Sequence, residues 1–382
     1  MDMFVRIEPK RQGFKVSDDY NFEDLTENKE LFKELFLEYS QYDFPKWKRL
    51  EFSDFKKIPV QKYVGNFIKE GNVSLSKKAL NSPIFKEFLL EKFKGVDPKF
   101  TLMALIFFNS GIFGNIDENS KITLKYDMNS NQSVLENSGL ALQNNSSGTL
   151  VREYGSGGKF LNSASKFSLK HDSKLRVFNV FLNSRTGLVI SSNLYTLEEN
   201  AEIEVYDVIF GGQKTAIDHD ANLIGRNSKA TFKSVYFGRG KERLDLKYAI
   251  NHFGEKTFGK IESNGVLGDE SYSVVRGNID IKNTAYNANS EEKSTVINLS
   301  SRARADSIPS LFVDNNNVVA KHGASVGNID ENKLYYLMSR GLDERSAIEL
   351  IVSGIFQPFI DEIPQDNSEL KDEIENAISI RI

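Results

Sequence analysis

Apolar positions change their period twice along the chain. In the first hundred residues they recur at helical spacing, and Leu31, Phe32, Leu35, Phe36 and Tyr39 share one helical face. Ser82-Pro83 reads as an N-cap and first helical position before a stripe of Ile84, Phe85, Phe88 and Leu89, which Gly95 ends. Asp97-Pro98 opens a further helix through Phe108. From about residue 112 to 320, short runs of alternating β-branched and aromatic residues are broken by Asn, Ser and Gly, the pattern of strands and turns. Helical spacing returns after Asn328. Asp330 is placed to cap a helix carrying Leu334, Tyr335, Leu337 and Met338, closed by Gly341. Asp343 caps a second, with Ala347, Ile348, Ile351 and Ile355 on one face and Pro358 beyond its end, and Leu370, Ile374, Ala377 and Ile378 mark a third. The expected organisation is helical over 1–111, β over 112–327 and helical over 328–382.

Within the β region three stretches align: "SKLRVFNVFL" from Ser173, "AEIEVYDVIF" from Ala201 and "SKATFKSVYF" from Ser228, at offsets of 28 and 27 residues. Leu175, Ile203 and Ala230 correspond, as do Val177, Val205 and Phe232, and then Val180, Val208 and Val235. A fixed period in the twenties marks a solenoid, in which each coil buries its apolar face against its neighbours. The leucine-rich pattern and the longer propeller period are both missing. Short strands with polar turns fit a parallel β-helix, and the alternative is a β-sandwich with fortuitously similar strands. The β-helix predicts that Val180, Val208 and Val235 lie in register inside the coils.

Composition narrows the chemistry. The chain has 382 residues, 40% hydrophobic and 27% charged, with a formal net charge of −4, so no strong field draws it to nucleic acid or an anionic membrane. The basic run Lys46-Trp-Lys-Arg49 reads as a solvated face. The longest apolar stretch, Phe100 to Phe108, falls well short of the ~20 residues that span a bilayer. The opening MDMFVRIEPKRQ shows no signal-peptide apolar region, and a cytoplasmic location is expected. There is no cysteine. Disulfides, thiolate nucleophiles, persulfide carriage and Cys-ligated zinc or iron–sulfur sites are therefore outside the reach of this chain alone.

Candidate sites are few. Gly323-Ala-Ser325-Val-Gly327 fits the G-x-S-x-G nucleophile elbow, but a hydrolase triad of that type runs Ser, Asp/Glu, His. All four histidines, His171, His219, His252 and His322, precede Ser325, so Gly323 and Gly327 read more simply as turn glycines. A β-helix carbohydrate-active enzyme would need clustered carboxylates; the candidates Asp218, Asp220 and Asp314 form no recurring pair along the sequence. No phosphate-binding G-x-x-x-x-G-K-[ST] is present. From spacing alone, His322 reads as a surface or turn histidine, and the other three share no metal-ligand spacing.

One long segment says more. "ADSIPSLFVDNNNVVAKHGASVGNIDENKLYYLMSRGLDERSAIELIVSGIFQPFIDEIP", residues 305–364, closely resembles the C-terminal signature of the SufB/SufD family of SUF iron–sulfur assembly proteins. "FFNSGIFGNIDENSKI" (107–122) and "HFGEKTFGKIESNGVLGDESYSVVRGNIDI" (252–281) extend the resemblance, which spans about 99–364; "FPKWKRLEFSDF" is similar to the family's N-terminal segment only loosely. The resemblance implies a mainly β fold, with a right-handed parallel β-helix core between N-terminal and C-terminal α-helical domains. It implies a non-enzymatic scaffold with no catalytic residue, working in a SufB–SufC–SufD complex. SufB would be met through the β-helix, and the SufC ATPase through C-terminal helices with anchors among Leu334, Tyr335, Leu337, Ile348 and Ile351. His322 would be the cluster or metal ligand at the SufB interface. No cofactor would be held stably by the isolated chain, only a transient iron–sulfur cluster or iron in the complex, and a homodimer would form without SufB. The absence of cysteine and the 252–281 segment fit the SufD type. Two departures are a short N-terminal region and Ala320, where some relatives carry cysteine, so that any thiol ligand would come from the partner. The alternatives are a carbohydrate-active β-helix enzyme and a SufB-like paralogue lacking the cysteine.

Overall fold

The structure, a computed structural model, describes residues 29–382 except 44, 46, 48, 49, 51–65, 69–72, 76–81, 92, 127–132, 156, 157, 183–186, 365 and 366. Residues 1–28 and the basic positions Lys46, Lys48 and Arg49 lie outside the described residues, as do the side chains of Leu31 and Leu89.

Among the described residues three helices precede the β region: α1 (Lys29–Gln41), α2 (Pro83–Leu90) and α3 (Pro98–Phe107). Their starts follow capping chemistry. Ser82 Oγ accepts the Phe85 N–H at 3.2 Å and Asp97 Oδ1 accepts the Lys99 N–H at 2.9 Å, each before a proline whose missing N–H is harmless there. α2 stops at Leu90, earlier than Gly95. Gly95 instead takes a left-handed turn (φ +58°) against the solenoid, where a Cβ would come within 2.4 Å of Ser192 Oγ. The N-terminal region is also not wholly helical. Asn66–Ile68 and Val73–Leu75 pair antiparallel with Ser120–Tyr126 and Ile112–Ile116, the first strands of two large sheets.

From Ile112 to Asn328 the chain is a parallel β-solenoid. Successive strands alternate between two nine-stranded sheets, and eight strands of each run parallel. The repeats fall in the expected register: Leu175 pairs with Ile203 and then Ala230, Val177 with Val205 and Phe232, and Val180 with Val208 and Val235. The corners explain the spacing. Asn145, Asp172, Asn200 and Asn227 all adopt φ of 56–60°, which short polar side chains tolerate. Ser146, Ser173 and Ser228 follow three of them, each hydroxyl donating to the carbonyl three residues back.

Where the helices cover them, both faces of the sheets are buried. Leu175, Val177, Ile203, Val205 and Phe232 face the lumen in one continuous apolar cluster. On the outside of one sheet, Leu135, Phe160, Leu188 and Ile190 pack with Phe32, Phe85 and Phe100 from α1, α2 and α3. On the outside of the other lie Phe178, Val180, Tyr206, Val208, Val235 and Phe237, roofed by the C-terminal helices. Val180, Val208 and Val235 are thus buried and in register, but outside the coils and not within them. Period-2 alternation cannot tell lumen from exterior when both faces are apolar. Each buried valine is still worth ~1.5–3 kcal/mol.

The C-terminal helices are α4 (Glu331–Ser339), α5 (Glu344–Ile360) and α6 (Ser368–Arg381). Asp330 and Asp343 cap α4 and α5 through side-chain oxygens, and Gly341 (φ +100°) follows α4. Pro358 lies inside α5, not beyond it; only two residues of the helix follow, so the lost hydrogen bond is confined to the last turn. Val352, Phe356, Phe359 and Ile360 of α5, with Leu370, Ile374 and Ile378 of α6, make the roof.

Candidate functional site at the open end of the solenoid

The two ends of the solenoid differ. The first coil meets the antiparallel strands Asn66–Ile68 and Val73–Leu75, whereas among the described residues Arg304–Val313 and Val319–Asn328 end their sheets unpaired on one side. Phe312, Val313, Val319 and Val326 are exposed along this last coil, and so is His322. An unpaired strand edge with exposed apolar side chains is a template for another chain.

Register places the candidates. Val319–Asn328 pairs in parallel with Asn289–Asn298, setting Ala320 against Ser290, His322 against Glu292, Ala324 against Ser294 and Val326 against Val296. Those four partners are the buried, lumen-facing positions of their strand, so His322 stands on the lumenal side at the mouth. Ser325 opposes the half-buried Thr295 on the other face. Gly323 and Gly327 are strand residues, not turn glycines: neither has positive φ, and a Cβ on either would meet nothing within 4 Å. The extended strand that the hydrogen-bond ladder imposes leaves no strand–turn–helix elbow around Ser325. Glycine here leaves room for another backbone to approach closely.

His322 ends a column that the sequence repeats only begin to show. Below it run Glu292, Ile261, Phe232, Val205, Val177 and Leu150, each in register with the next. With Ile122 beneath Leu150, six coils place an apolar side chain there, and the last two place a carboxylate and an imidazole. Glu292 was not singled out by motif reading. Extending the Val177–Val205–Phe232 alignment by two coils would have shown the break. Its side chain is 4% exposed and reaches the opposite sheet, where a Cβ on Gly277 would come within 2.0 Å of Oε1. Oε2 has no hydrogen-bond partner, and burial pushes the carboxyl up to about 7. Ser294 Oγ and Ser307 Oγ, in the same two final coils, are also buried without partners.

Deeper in the lumen, Arg152 and Asp207 anchor a polar network. Arg152 donates to Asn179 at 2.8 Å, Ser165 at 2.7 Å and Asn193 at 2.9 Å, with its NH1 3.4 Å from Glu136. Asn179 donates to Asp207 at 2.8 Å, as does Tyr248 OH at 3.0 Å. His219 Nε2 lies 2.9 Å from Asp207 Oδ2. Burial pushes the Asp207 carboxyl up, but His219 and these donors together hold it below the usual carboxylate range. His252 is buried against Thr257, while His171 is exposed beside Asp172 in a corner. His219 and His252 are thus core residues, and only His322 stands at an edge.

The remaining candidates separate by exposure. On α4 and α5, Tyr335 is 75% exposed, Leu334, Leu337 and Ile351 are half-buried, and Ile348 packs into the roof. Tyr336, Met338, Leu342 and Leu350 are exposed beside them and complete an apolar surface that helical periodicity underestimated, because it selects the inward stripe. Asp218 pairs with Lys247 at 2.9 Å and Asp220 accepts from Asn251, while Asp314 sits in the loop before the last strand. Outside the last coils, a groove of about 510 Å³ is lined by Lys260, Glu262, Glu291, Lys293 and Lys321. Its carboxylates alternate with lysines, Lys260 lying 3.2 Å from Glu262 and 3.6 Å from Glu291. Among the described residues no three His, Asp or Glu side chains converge as a metal site, and no helix is long and apolar enough to cross a membrane.

Comparison with known proteins agrees with this geometry. Residues 126–355 match the family described as SUF system FeS cluster assembly, SufBD core domain. Over 150 residues the chain is 38% identical to the iron–sulfur cluster assembly protein SufD of Bacillus subtilis, covering 39% of this chain and 34% of that protein. Over 313 residues it is 28% identical to an iron–sulfur cluster assembly SufBD family protein of Pyrococcus horikoshii, covering 78% and 68%. A SufBD family protein of Staphylococcus saprophyticus is 30% identical over 185 residues, covering 47% and 40%. The match thus spans less than half the length of two of these three relatives. With more than half of its residues inside the family match, the chain belongs to the SufB/SufD family of SUF-system iron–sulfur cluster assembly proteins.

Proposed function

We propose that this chain is a SufD-type scaffold subunit, non-enzymatic by itself, that pairs with a cysteine-bearing SufB through its open solenoid end. The observation that carries the reading is the unpaired last coil with His322 at its mouth, on a chain with no cysteine. Imidazole is a good iron ligand, and a thiolate from SufB would complete a mixed site that neither chain holds alone. The iron or nascent cluster is cargo, held transiently in the complex. The exposed Tyr335, Tyr336, Met338 and Leu350 surface is the proposed dock for the SufC ATPase, in a cytoplasmic complex.

Two alternatives remain to be set against this reading. A carbohydrate-active enzyme would use clustered free carboxylates, whereas Asp218 is paired with a lysine and Asp220 with an asparagine. A SufB-like paralogue would pair with a SufD. The test is co-expression with SufB, SufC and SufD candidates from the same source. Capture of SufB and SufC together, with self-association only when SufB is absent, is expected. Capture of SufD instead, or of neither scaffold, would overturn the assignment.

A further inference from the structure

A buried carboxylate without a partner costs several kcal/mol, and solenoid cores normally avoid it. Glu292 accepts this cost at a position that is apolar in the six preceding coils. Three features indicate that something absent from the chain meets it. Oε2 is fully buried with no partner. The opposite sheet carries Gly277, whose missing Cβ is what admits the carboxylate. The hydroxyls of Ser294 and Ser307, in the same coils, are likewise unmatched. The next side chain in the column is His322. Neighbouring strands lie about 4.8 Å apart, so the carboxylate and imidazole can converge on a single small ion.

We propose that Glu292 and His322 form a two-donor half-site for a divalent first-row cation, ferrous iron, at the lumen mouth. Glu292 is a ligand in its own right. The proposal rests on the reading that this end handles iron, and it adds a second ligand from this chain. An oxygen and a nitrogen donor suit Fe²⁺ or Mn²⁺, whereas soft Cu(I) would call for thiolate or thioether. Two donors leave positions for water or for ligands of the facing chain.

The probe is Fe²⁺ itself, titrated anaerobically into the full chain by equilibrium dialysis, with Mn²⁺ followed by electron paramagnetic resonance as a second reporter. One ion per chain is expected. Glu292→Gln and His322→Ala should each weaken binding at least about tenfold, the range seen even for groups behind the ligands. Glu262→Gln, in the outer groove, should leave it unchanged. Glu292→Asp keeps the charge but withdraws it by one methylene; it should also weaken binding, and it serves as the test if Glu292→Gln does not fold. Wild-type affinity in a folded Glu292 variant, with loss only in His322→Ala, overturns the half-site and leaves the proposed function standing. Wild-type affinity in all variants overturns it too. The proposed function fails separately, if His322→Ala leaves the cluster content of the assembled complex unchanged.

Discussion

His252 shows how strongly the solenoid interior acts on a single titratable group. Its Nδ1 lies 2.8 Å from Thr257 Oγ1, its Nε2 has no partner, and burial pushes the imidazole down from 6.5 to about 4. The folded state therefore takes up this proton only below about pH 4, while the unfolded chain takes it up near 6.5. The stability contribution is complete above pH 6.5 and is lost as pH falls, reaching roughly 3 kcal/mol by pH 4. Chemical denaturation at pH 7 and pH 4 should show His252→Gln losing less stability between the two than wild type, by about that amount. Parallel pH profiles would contradict the assignment. In the sequence only the family resemblance sets His322 apart from His252, since both lie in segments rich in glycine. Burial distinguishes them, and burial depends on which coil is last. Glu292 escaped notice for a similar reason: a carboxylate among Glu291, Lys293 and other charges reads as solvated until register turns it inward.

At the element scale, the helices behave as roofs on an already closed coil. α5 and α6 cover the outer face at Phe178, Tyr206, Val208 and Phe237, and Phe356 sits at the centre, its ring 5.5 Å from Phe210 and 6.4 Å from Phe237. Phe356→Ala should cost about 3–5 kcal/mol and raise hydrogen exchange in α5 and α6 well before the coils. Equal protection loss throughout would show that the roof and the solenoid fold as one unit. Removing 329–382 altogether would uncover this aromatic face and invite aggregation. Tyr335→Asp is therefore the cleaner test of SufC docking, expected to abolish ATPase capture with SufB pairing intact. Helix positions were legible because Ser82, Asp97, Asp330 and Asp343 are capping residues whose role is local. What each helix covers was not, because Val180, Val208 and Val235 look the same from either side of a sheet. The antiparallel strands near residues 66–75 were missed because three-residue runs carry no period.

At the scale of the whole molecule, the solenoid is a column closed by its own chain at the start and left open at the finish. The repeat at Ser173, Ala201 and Ser228 was enough to read a stack, since a period near 28 is a global property written locally in each coil. The openness was not readable, because an end that lacks a cap looks in sequence like any other coil followed by helices. Only the resemblance in 305–364 hinted at a partner there. The central claim is that His322, at this open end, serves iron–sulfur assembly jointly with a facing chain. The most direct measurement is iron and acid-labile sulfide per complex after co-purification with SufB and SufC, comparing wild type, His322→Ala and Ser325→Ala. The account predicts that His322→Ala assembles normally, keeps SufC active and retains much less iron and sulfide, while Ser325→Ala stays near wild type. Full iron and sulfide in His322→Ala, or a loss confined to Ser325→Ala, would contradict it.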